Sequence, residues 1–291
     1  MKVYVLWVRH CESCSNIIAH SKSRTKKLWN IKQAGLVPPN CTMIGLLQSF
    51  MFGYQLLPEI LKRYPDFSKV AYYCSVLKRA KITAKIISYG FESSGCKMKT
   101  SKEIQRVCHV SEKLNKLEKH TGLKLTSKTS MKRSDKQVDD INRRYRRTGK
   151  KIAKQMQRKT KGCVKSDYDK FVKNVVPTLD HSSLNVIVSH GKFLRKHLKL
   201  KKSNNVDCFL VEYDTETGKQ KVLMKVFNET DLSNDQLSHA SAKKDVFNFN
   251  YSSKTLNLKT SITFHQFKQY MQSLSNLLEF STRNNEAPCG K

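Results

Sequence analysis

The sequence predicts a three-layer α/β/α sandwich with a mostly parallel central sheet, a C-terminal β-hairpin and a basic, largely helical insertion. The first observation is that apolar runs of strand length are followed by segments with helical periodicity, an order typical of parallel sheets covered by helices. The second is a pair of strand-like runs around the polar segment 214–218, which predicts an antiparallel hairpin. The third is an excess of Lys and Arg between residues 116 and 165.

Two βα units open the chain. Residues 2–8 are almost uninterruptedly apolar, and such a run predicts a strand that is buried on both faces of the sheet. After a polar, basic loop, Thr42 can cap a helix that ends at Pro65 at the latest. Residues 70–74 predict the second strand, and the spacing of apolar residues over 77–90 predicts the second helix.

The basic insertion interrupts this pattern. Segment 116–165 contains eighteen Lys or Arg residues against four Asp or Glu residues. A helix over 139–158 would have few apolar positions with which to pack on a core. We therefore expect a solvated helix or a mobile insertion.

The second half resumes the α/β order. Helical periodicity over 168–176 precedes a strand over 184–188 and a helix after Gly191, and residues 208–213 and 220–227 form the predicted hairpin.

The C-terminal part has a different composition. It is rich in Ser and Asn as far as Thr260, and an amphipathic helix is predicted over 264–280. We therefore expect one domain over 1–230, which includes the basic insertion, and a polar linker with a C-terminal helix over 231–291.

Composition limits the partners and the compartment. The chain has 291 residues and a formal net charge of +32, which attracts polyanions such as nucleic acid, polyphosphates or acidic proteins. Its nine cysteines show no spacing typical of a disulfide framework, which predicts a reducing compartment. No apolar run is long enough for a signal peptide or a transmembrane segment. We expect a cytoplasmic or otherwise intracellular protein, and the Lys and Asn bias is typical of an AT-rich genome such as that of a large DNA virus.

Polar side chains follow three of the predicted strands. Arg9 and His10 come after the first strand, Arg79 after the second, and Ser189 and His190 after the strand over 184–188. Ligands of open α/β sheets bind at the carboxyl ends of the strands, so these side chains can meet in one pocket. Two guanidinium groups and a protonated imidazole would bind a phosphate group there.

An imidazole in such a pocket can also attack phosphorus. A neutral histidine whose proton is held on Nδ1 presents a nucleophilic Nε2, and His10 is placed for that role. Attack on a phosphate monoester would give a phosphohistidine, which water then hydrolyses. The arginines and His190 would stabilise the charge on the phosphoryl group during transfer.

Four motifs resemble those of the histidine phosphatase superfamily, in the branch that contains the cofactor-dependent phosphoglycerate mutases. That family shows R-H-G-E-x-x-x-N, L-T-x-x-G-x-x-Q, S-x-L-x-R-A-x-x-T-A and S-H-G-x-x-x-R. The corresponding segments here begin at Arg9, near Thr42, at Ser75 and at Ser189, in the same order. They lie within residues 3–199, about two-thirds of the chain.

The resemblance implies a role for each matching residue. It implies His10 as the phosphorylated nucleophile, and Arg9, Arg79 and His190 as the phosphate pocket, with Asn16 as a nearby polar contact. Gly45 and Gln48 would lie on the helix that supports the site. The family also supplies a carboxylate general acid after the second arginine; Glu112 is our choice, with Glu103 and Glu118 as alternatives.

The sequence departs from the family pattern at Cys11, which stands where the motif has glycine, and a side chain there can narrow the pocket or restrict the backbone. We expect a phosphatase that acts on a strongly anionic phosphorylated substrate, a small molecule or a phosphoprotein, without a cofactor or a metal. One alternative is phosphoryl transfer of the phosphoglycerate mutase type. Another is a basic protein on a degenerate phosphatase scaffold that binds nucleic acid or another polyanion through 116–165.

Overall fold

Parallel strands carry the candidate site at the centre of the sheet. This computed structural model describes residues 1–13, 41, 43–101, 103–111, 163, 166–201, 203–228 and 249–251. In that part of the chain, β1 (Lys2–Arg9) pairs in parallel with β5 (Ser183–Ser189), which pairs in parallel with β2 (Lys69–Cys74). The apolar side chains of β1 and β5 are buried, because both strands are central and helices cover both faces of the sheet.

The strands at the two sides of the sheet are shorter or antiparallel. Two short strands, β3 (Lys99–Thr100) and β4 (Gln105–Arg106), pair with β2. On the other side, β6 (Cys208–Asp214) runs antiparallel to β1 and continues into β7 (Gln220–Asn228). The predicted hairpin is therefore confirmed. A further strand, β8 (Phe249–Tyr251), pairs with β7 in a region where the sequence predicts only a linker.

Helices lie on both faces of the sheet. On one face, α1 (Met43–Met51) continues through a π-helical segment, Phe52–Leu56, into α2 (Leu57–Arg63). Both α1 and the π-helical segment pack against α3 (Lys78–Ser93). On the other face lie α4 (Tyr168–Asn174) and α5 (Gly191–His197), with a short 3₁₀ turn at Val176–Thr178.

Each face has its own apolar core. Phe50, Leu57 and Ile87 belong to the core beneath α1, α2 and α3, and Trp7 and Phe171 belong to the core beneath α4 and α5. The α/β sandwich with a mostly parallel sheet is therefore confirmed. The domain boundary at residue 230 stays a prediction. The predicted helices over 139–158 and 264–280 lie outside the described residues. No helix in the described part of the chain is long and apolar enough to cross a membrane.

Candidate active site

The two histidines of the sequence motifs lie side by side at the carboxyl ends of neighbouring strands. Arg9 of β1 is in register with Ser189 of β5, so the residues that follow, His10 and His190, leave the sheet together. Their ring centroids are 5.0 Å apart. His10 is 3% exposed and His190 is fully buried, so both imidazoles lie in a site of low dielectric constant.

The His10 ring is fixed through its Nδ1 atom. Nδ1 lies 2.7 Å from the carbonyl oxygen of Cys11, which can only accept, so the proton is on Nδ1. The other nitrogen, Nε2, accepts a hydrogen bond of 3.1 Å from Nε of Arg79. Burial, followed by the charge of Arg79 and then the proximity of His190 and Arg9, holds the pKa of His10 well below its ordinary value of 6.5. His10 is therefore neutral near pH 7 and carries its lone pair on Nε2.

Arg79 joins the two imidazoles. It lies in the first turn of α3 and is 4% exposed, because β2 ends at Cys74 and the chain turns directly into the helix. Its Nη2 is 3.3 Å from Nδ1 of His190. Since a guanidinium only donates, Nδ1 of His190 is the acceptor, and Nε2 of His190 then donates to the Ser75 hydroxyl at 2.6 Å.

Arg9 lies on the α5 side of the site. A Cβ on Gly191 would lie 2.8 Å from Nε of Arg9, so glycine is needed where the guanidinium crosses the start of α5. Nη1 of Arg9 donates to the carbonyl of Ser203. The sequence predicts both arginines in one pocket. The structure bonds Arg79 to both imidazoles, and Arg9 contributes positive charge that lowers the pKa of His10.

Three further contacts hold the segment that follows His10. The Cys11 amide donates to the Thr83 hydroxyl at 2.9 Å, and the Asn205 amide group donates to the His10 carbonyl at 2.8 Å. A Cβ on Gly45 of α1 would lie 2.4 Å from the Glu12 carbonyl oxygen, so α1 packs directly on this backbone. The nucleophile segment is therefore held from α3, from the loop before β6 and from α1.

The cysteines correct a prediction made from their spacing. Cys11 forms a disulfide with Cys41, and Cys108 forms one with Cys163, although the spacing indicates no disulfide framework. Sequence spacing misses these pairs because 30 and 55 residues separate the partners, which only the fold brings together. The Cys11 side chain, expected to narrow the pocket, is buried in the core beneath α1 and α3.

The chain approaches the site again just before Glu112. The Ser189 hydroxyl donates to the Val110 carbonyl at 2.7 Å, next to His190 in sequence. Ser111 is fully buried, whereas Glu103 is exposed between β3 and β4 at the side of the sheet. The predicted residues Asn16, Glu112 and Glu118 lie outside the described residues.

Solved structures with a similar fold were found, whereas no family model and no curated protein matches the chain. One is a mycobacterial glucosyl-3-phosphoglycerate phosphatase solved with VO3, at 12% identity, covering 76% of this chain and 97% of that chain with a TM-score of 0.33. Another is the phytase of Klebsiella sp. ASR1, at 9% identity, covering 100% of this chain and 97% of that chain with a TM-score of 0.39. TM-scores this low support no inference about function. The inference made below rests on the sequence motifs and on the geometry of the site.

The structure adds residues to which the sequence assigned no role. Ser75 and Thr83 belong to the motif that contains Arg79, and this position in the motif is the sequence signal that marks them. Asn205 and Cys41 belong to no motif and become visible only through their contacts in the fold.

Proposed function

We propose that this chain is a phosphatase that hydrolyses phosphate monoesters through a phosphohistidine at His10. The observation that supports it most is a buried, neutral imidazole whose Nε2 accepts a hydrogen bond from a guanidinium that also contacts a second imidazole. A nucleophile of this kind needs a lone pair on a fixed nitrogen and positive charge around the acceptor phosphorus. His10 and His190, which follow β1 and β5, supply both together with Arg79 in the first turn of α3.

The first step follows from the contacts of Arg79. A phosphate monoester binds guanidinium N–H groups through two oxygens, and Arg79 now directs these groups at His10 and His190. When the substrate takes them, the lone pair of Nε2 becomes available. Nε2 then forms a bond to phosphorus, and the bond between phosphorus and the alcohol oxygen breaks, with a proton passing from a general acid to that oxygen.

The second step is hydrolysis. A water molecule loses a proton to the same carboxylate and attacks phosphorus, and the bond between phosphorus and Nε2 breaks to leave inorganic phosphate and neutral His10. The Nδ1 hydrogen bond to the Cys11 carbonyl persists throughout and stabilises the positive charge on the phosphorylated ring. Arg79, Arg9 and His190 stabilise the negative charge on the phosphoryl oxygens.

Glu112 is the general acid in this proposal. The contact between Ser189 and Val110 brings the chain beside His190 two residues before Glu112. Glu103, the alternative in the described part of the chain, lies exposed between two side strands. We expect Glu112→Gln to slow hydrolysis of an alkyl phosphate by about a hundredfold or more, as loss of general acid catalysis does. Hydrolysis of p-nitrophenyl phosphate should fall much less, because its leaving group needs little protonation.

Glu103→Gln and Glu118→Gln are the matched controls for Glu112. Both should hydrolyse the two esters as the wild type does. Equal loss on both esters in Glu112→Gln, or a leaving-group dependence that appears instead in a control, would assign the acid elsewhere.

The substrate is strongly anionic in this proposal. The segment 192–201, directly after His190 and Gly191, has no acidic residue. Five of its side chains are basic and exposed: Lys192, Arg195, Lys196, Lys199 and Lys201. The positive electrostatic potential of these side chains raises the local concentration of a polyanionic substrate, and salt weakens this effect. We expect KM for an ester with several phosphates to rise with salt more steeply than KM for a simple monoester.

The decisive test of the mechanism is His10→Ala. This variant should lose turnover of p-nitrophenyl phosphate and acid-labile labelling from ³²P-substrate. His181→Ala, which changes a partly exposed histidine just before β5, should keep both. Wild-type turnover in His10→Ala would exclude the phosphohistidine. Release of phosphate, rather than its transfer to an added alcohol acceptor, separates hydrolysis from mutase chemistry in the same assay.

A further inference from the structure

We propose that Cys41 is a positioning residue for His10, acting through its disulfide with Cys11, so that full turnover requires the oxidised pair. The inference rests on the proposed function, because it concerns the orientation of the same nucleophile. The link joins residue 11, directly after the nucleophile, to the residue that lies just before α1. It therefore fastens the nucleophile segment to the helix layer.

Every group of Cys11 takes part in this arrangement. Its carbonyl accepts the Nδ1 proton of His10 at 2.7 Å and thereby selects the tautomer with a free Nε2. Its amide donates to the Thr83 hydroxyl at 2.9 Å. Its sulfur is bonded to Cys41, and both cysteines are fully buried. A rotation of the Cys11 backbone would move the acceptor of His10, so the disulfide restrains the atom that orients the nucleophile.

Cys41 is itself held in the site. Its backbone forms an isolated antiparallel bridge with Ser13, and its sulfur lies 3.8 Å from the carbonyl oxygen of Arg79. The Cβ position of Gly45 in α1 lies 3.1 Å from Cβ of Cys11. The covalent link therefore lies between the segment that carries His10 and the first turn of the helix that carries Arg79.

The disulfide is the covalent constraint across a long connection. Residues 14–40 lie between Ser13 and Cys41 in the sequence, so the disulfide joins two points of the chain that are 30 residues apart. A cross-link of this kind removes conformational freedom that contacts alone must otherwise restrict. The family motif has glycine at position 11 and cannot form such a link, so this device follows from the substitution of cysteine for glycine in this chain.

Reduction reverses the constraint. A dithiol reductant attacks one sulfur as its thiolate, the bond between the Cys11 and Cys41 sulfurs breaks, and a mixed disulfide forms. The second thiol of the reductant then releases the cysteine. Two electrons and two protons pass to the protein, which ends with two thiols, and the reductant ends as a cyclic disulfide. Because both sulfurs are buried, we expect reduction to be slow unless the segment opens.

The test compares turnover of p-nitrophenyl phosphate by the oxidised protein and by the same protein after dithiothreitol. We expect kcat to fall by about tenfold or more, since small misplacements of a reacting group have effects of that order, and to return on reoxidation. Cys41→Ser should show the lower kcat without reductant and should lose the response to dithiothreitol. Cys96→Ser, which removes a free and partly exposed thiol far from the motifs, should behave as the wild type.

A second measurement does not depend on turnover. Ring ¹⁵N chemical shifts of His10 report which nitrogen carries the proton, and we expect the Nδ1–H tautomer in the oxidised protein and a mixture of tautomers after reduction and in Cys41→Ser. Circular dichroism establishes that each sample is folded. Wild-type kcat and unchanged His10 shifts in a reduced, folded protein would overturn the positioning role. An oxidised protein that never turns over a phosphate ester, but whose His10 shifts respond to reduction, would overturn the phosphatase and leave the positioning role in place.

Discussion

His10 and His190 follow neighbouring parallel strands, yet the protein holds their rings in opposite ways. The backbone carbonyl of Cys11 holds His10 at Nδ1, and Nε2 faces Arg79. The Ser75 hydroxyl holds His190 at Nε2, and Nδ1 faces Arg79. The same guanidinium therefore meets a different nitrogen on each ring. His10 thus presents Nε2 to Arg79, whereas His190 presents Nδ1.

The difference also separates what each histidine can do when phosphate displaces Arg79. His10 exposes Nε2, which can bond to phosphorus while Nδ1 stays hydrogen-bonded to the carbonyl. His190 exposes Nδ1, which can take a proton and donate to a phosphoryl oxygen while Nε2 stays bonded to Ser75. We therefore expect one ring to react and the other to bind.

Arg79→Gln should have the largest effect on activity, because Arg79 is the group that both rings share. We expect kcat/KM for p-nitrophenyl phosphate to fall by about a hundredfold or more, the loss seen when a preorganised charge donor is removed. Arg79→Lys should recover only part of it, since an ammonium cannot bridge both rings in one plane. Arg63→Gln, which changes an exposed arginine at the end of α2, is the matched control. An Arg79→Gln variant within threefold of the wild type would show that the guanidinium does not bind the transferring phosphoryl group.

The same variant changes the titration of His10. Burial is the largest cause that lowers the pKa of His10, and the charge of Arg79 is the second. Removing that charge should raise the pKa of His10 towards 6.5, although burial keeps it below that value. Titration of the ring by NMR measures the shift. A pKa that stays constant in Arg79→Gln would mean that the guanidinium does not act on the ring electrostatically.

Sequence patterns predict the central strands and helices, but they do not predict the residues that hold the site in place. The apolar runs of β1 and β5 predict buried parallel strands because this pattern is local in the sequence. The positions of His10 and His190 at the ends of these strands then follow from the sequence. The partner of Cys11 and the amide that holds the His10 carbonyl come from Cys41 and Asn205, residues distant in sequence. Only the fold brings such groups together, and no local period marks them. The roles predicted for the site residues all stay predictions: Arg9, His10, Asn16, Arg79, Glu112 and His190.

A smaller effect distinguishes the hydroxyl groups that support the two histidines. Ser75→Ala leaves the Nε2 proton of His190 without its acceptor, and Thr83→Val leaves the Cys11 amide without its acceptor. Each loss should lower kcat/KM by the equivalent of about 1–3 kcal/mol, the cost of leaving a buried donor without its partner. Ser75→Ala should act mainly on KM, through phosphate binding by His190. Thr83→Val should act mainly on kcat, through the orientation of His10.

Steady-state kinetics on both variants test this separation. Ser88→Ala, which changes an exposed hydroxyl of α3, is the control for the loss of a side-chain oxygen. If Ser75→Ala and Thr83→Val changed kcat and KM in the same proportions, the two rings would not have separate roles.

The smallest expected effect concerns the pH dependence of folding stability. The pKa of His10 lies well below 6.5 in the folded protein, whereas in the unfolded chain it titrates near 6.5. The unfolded state therefore binds the proton first as the pH falls, so the free energy of unfolding decreases below pH 6.5. One group contributes a slope of at most about 1.4 kcal/mol per pH unit. His10→Gln should flatten that part of the profile in urea unfolding between pH 7 and 5, and His181→Gln should not. A profile that His10→Gln leaves unchanged would mean that the ring is not held neutral in the fold, and with it the basis for treating Nε2 as a ready nucleophile would be lost.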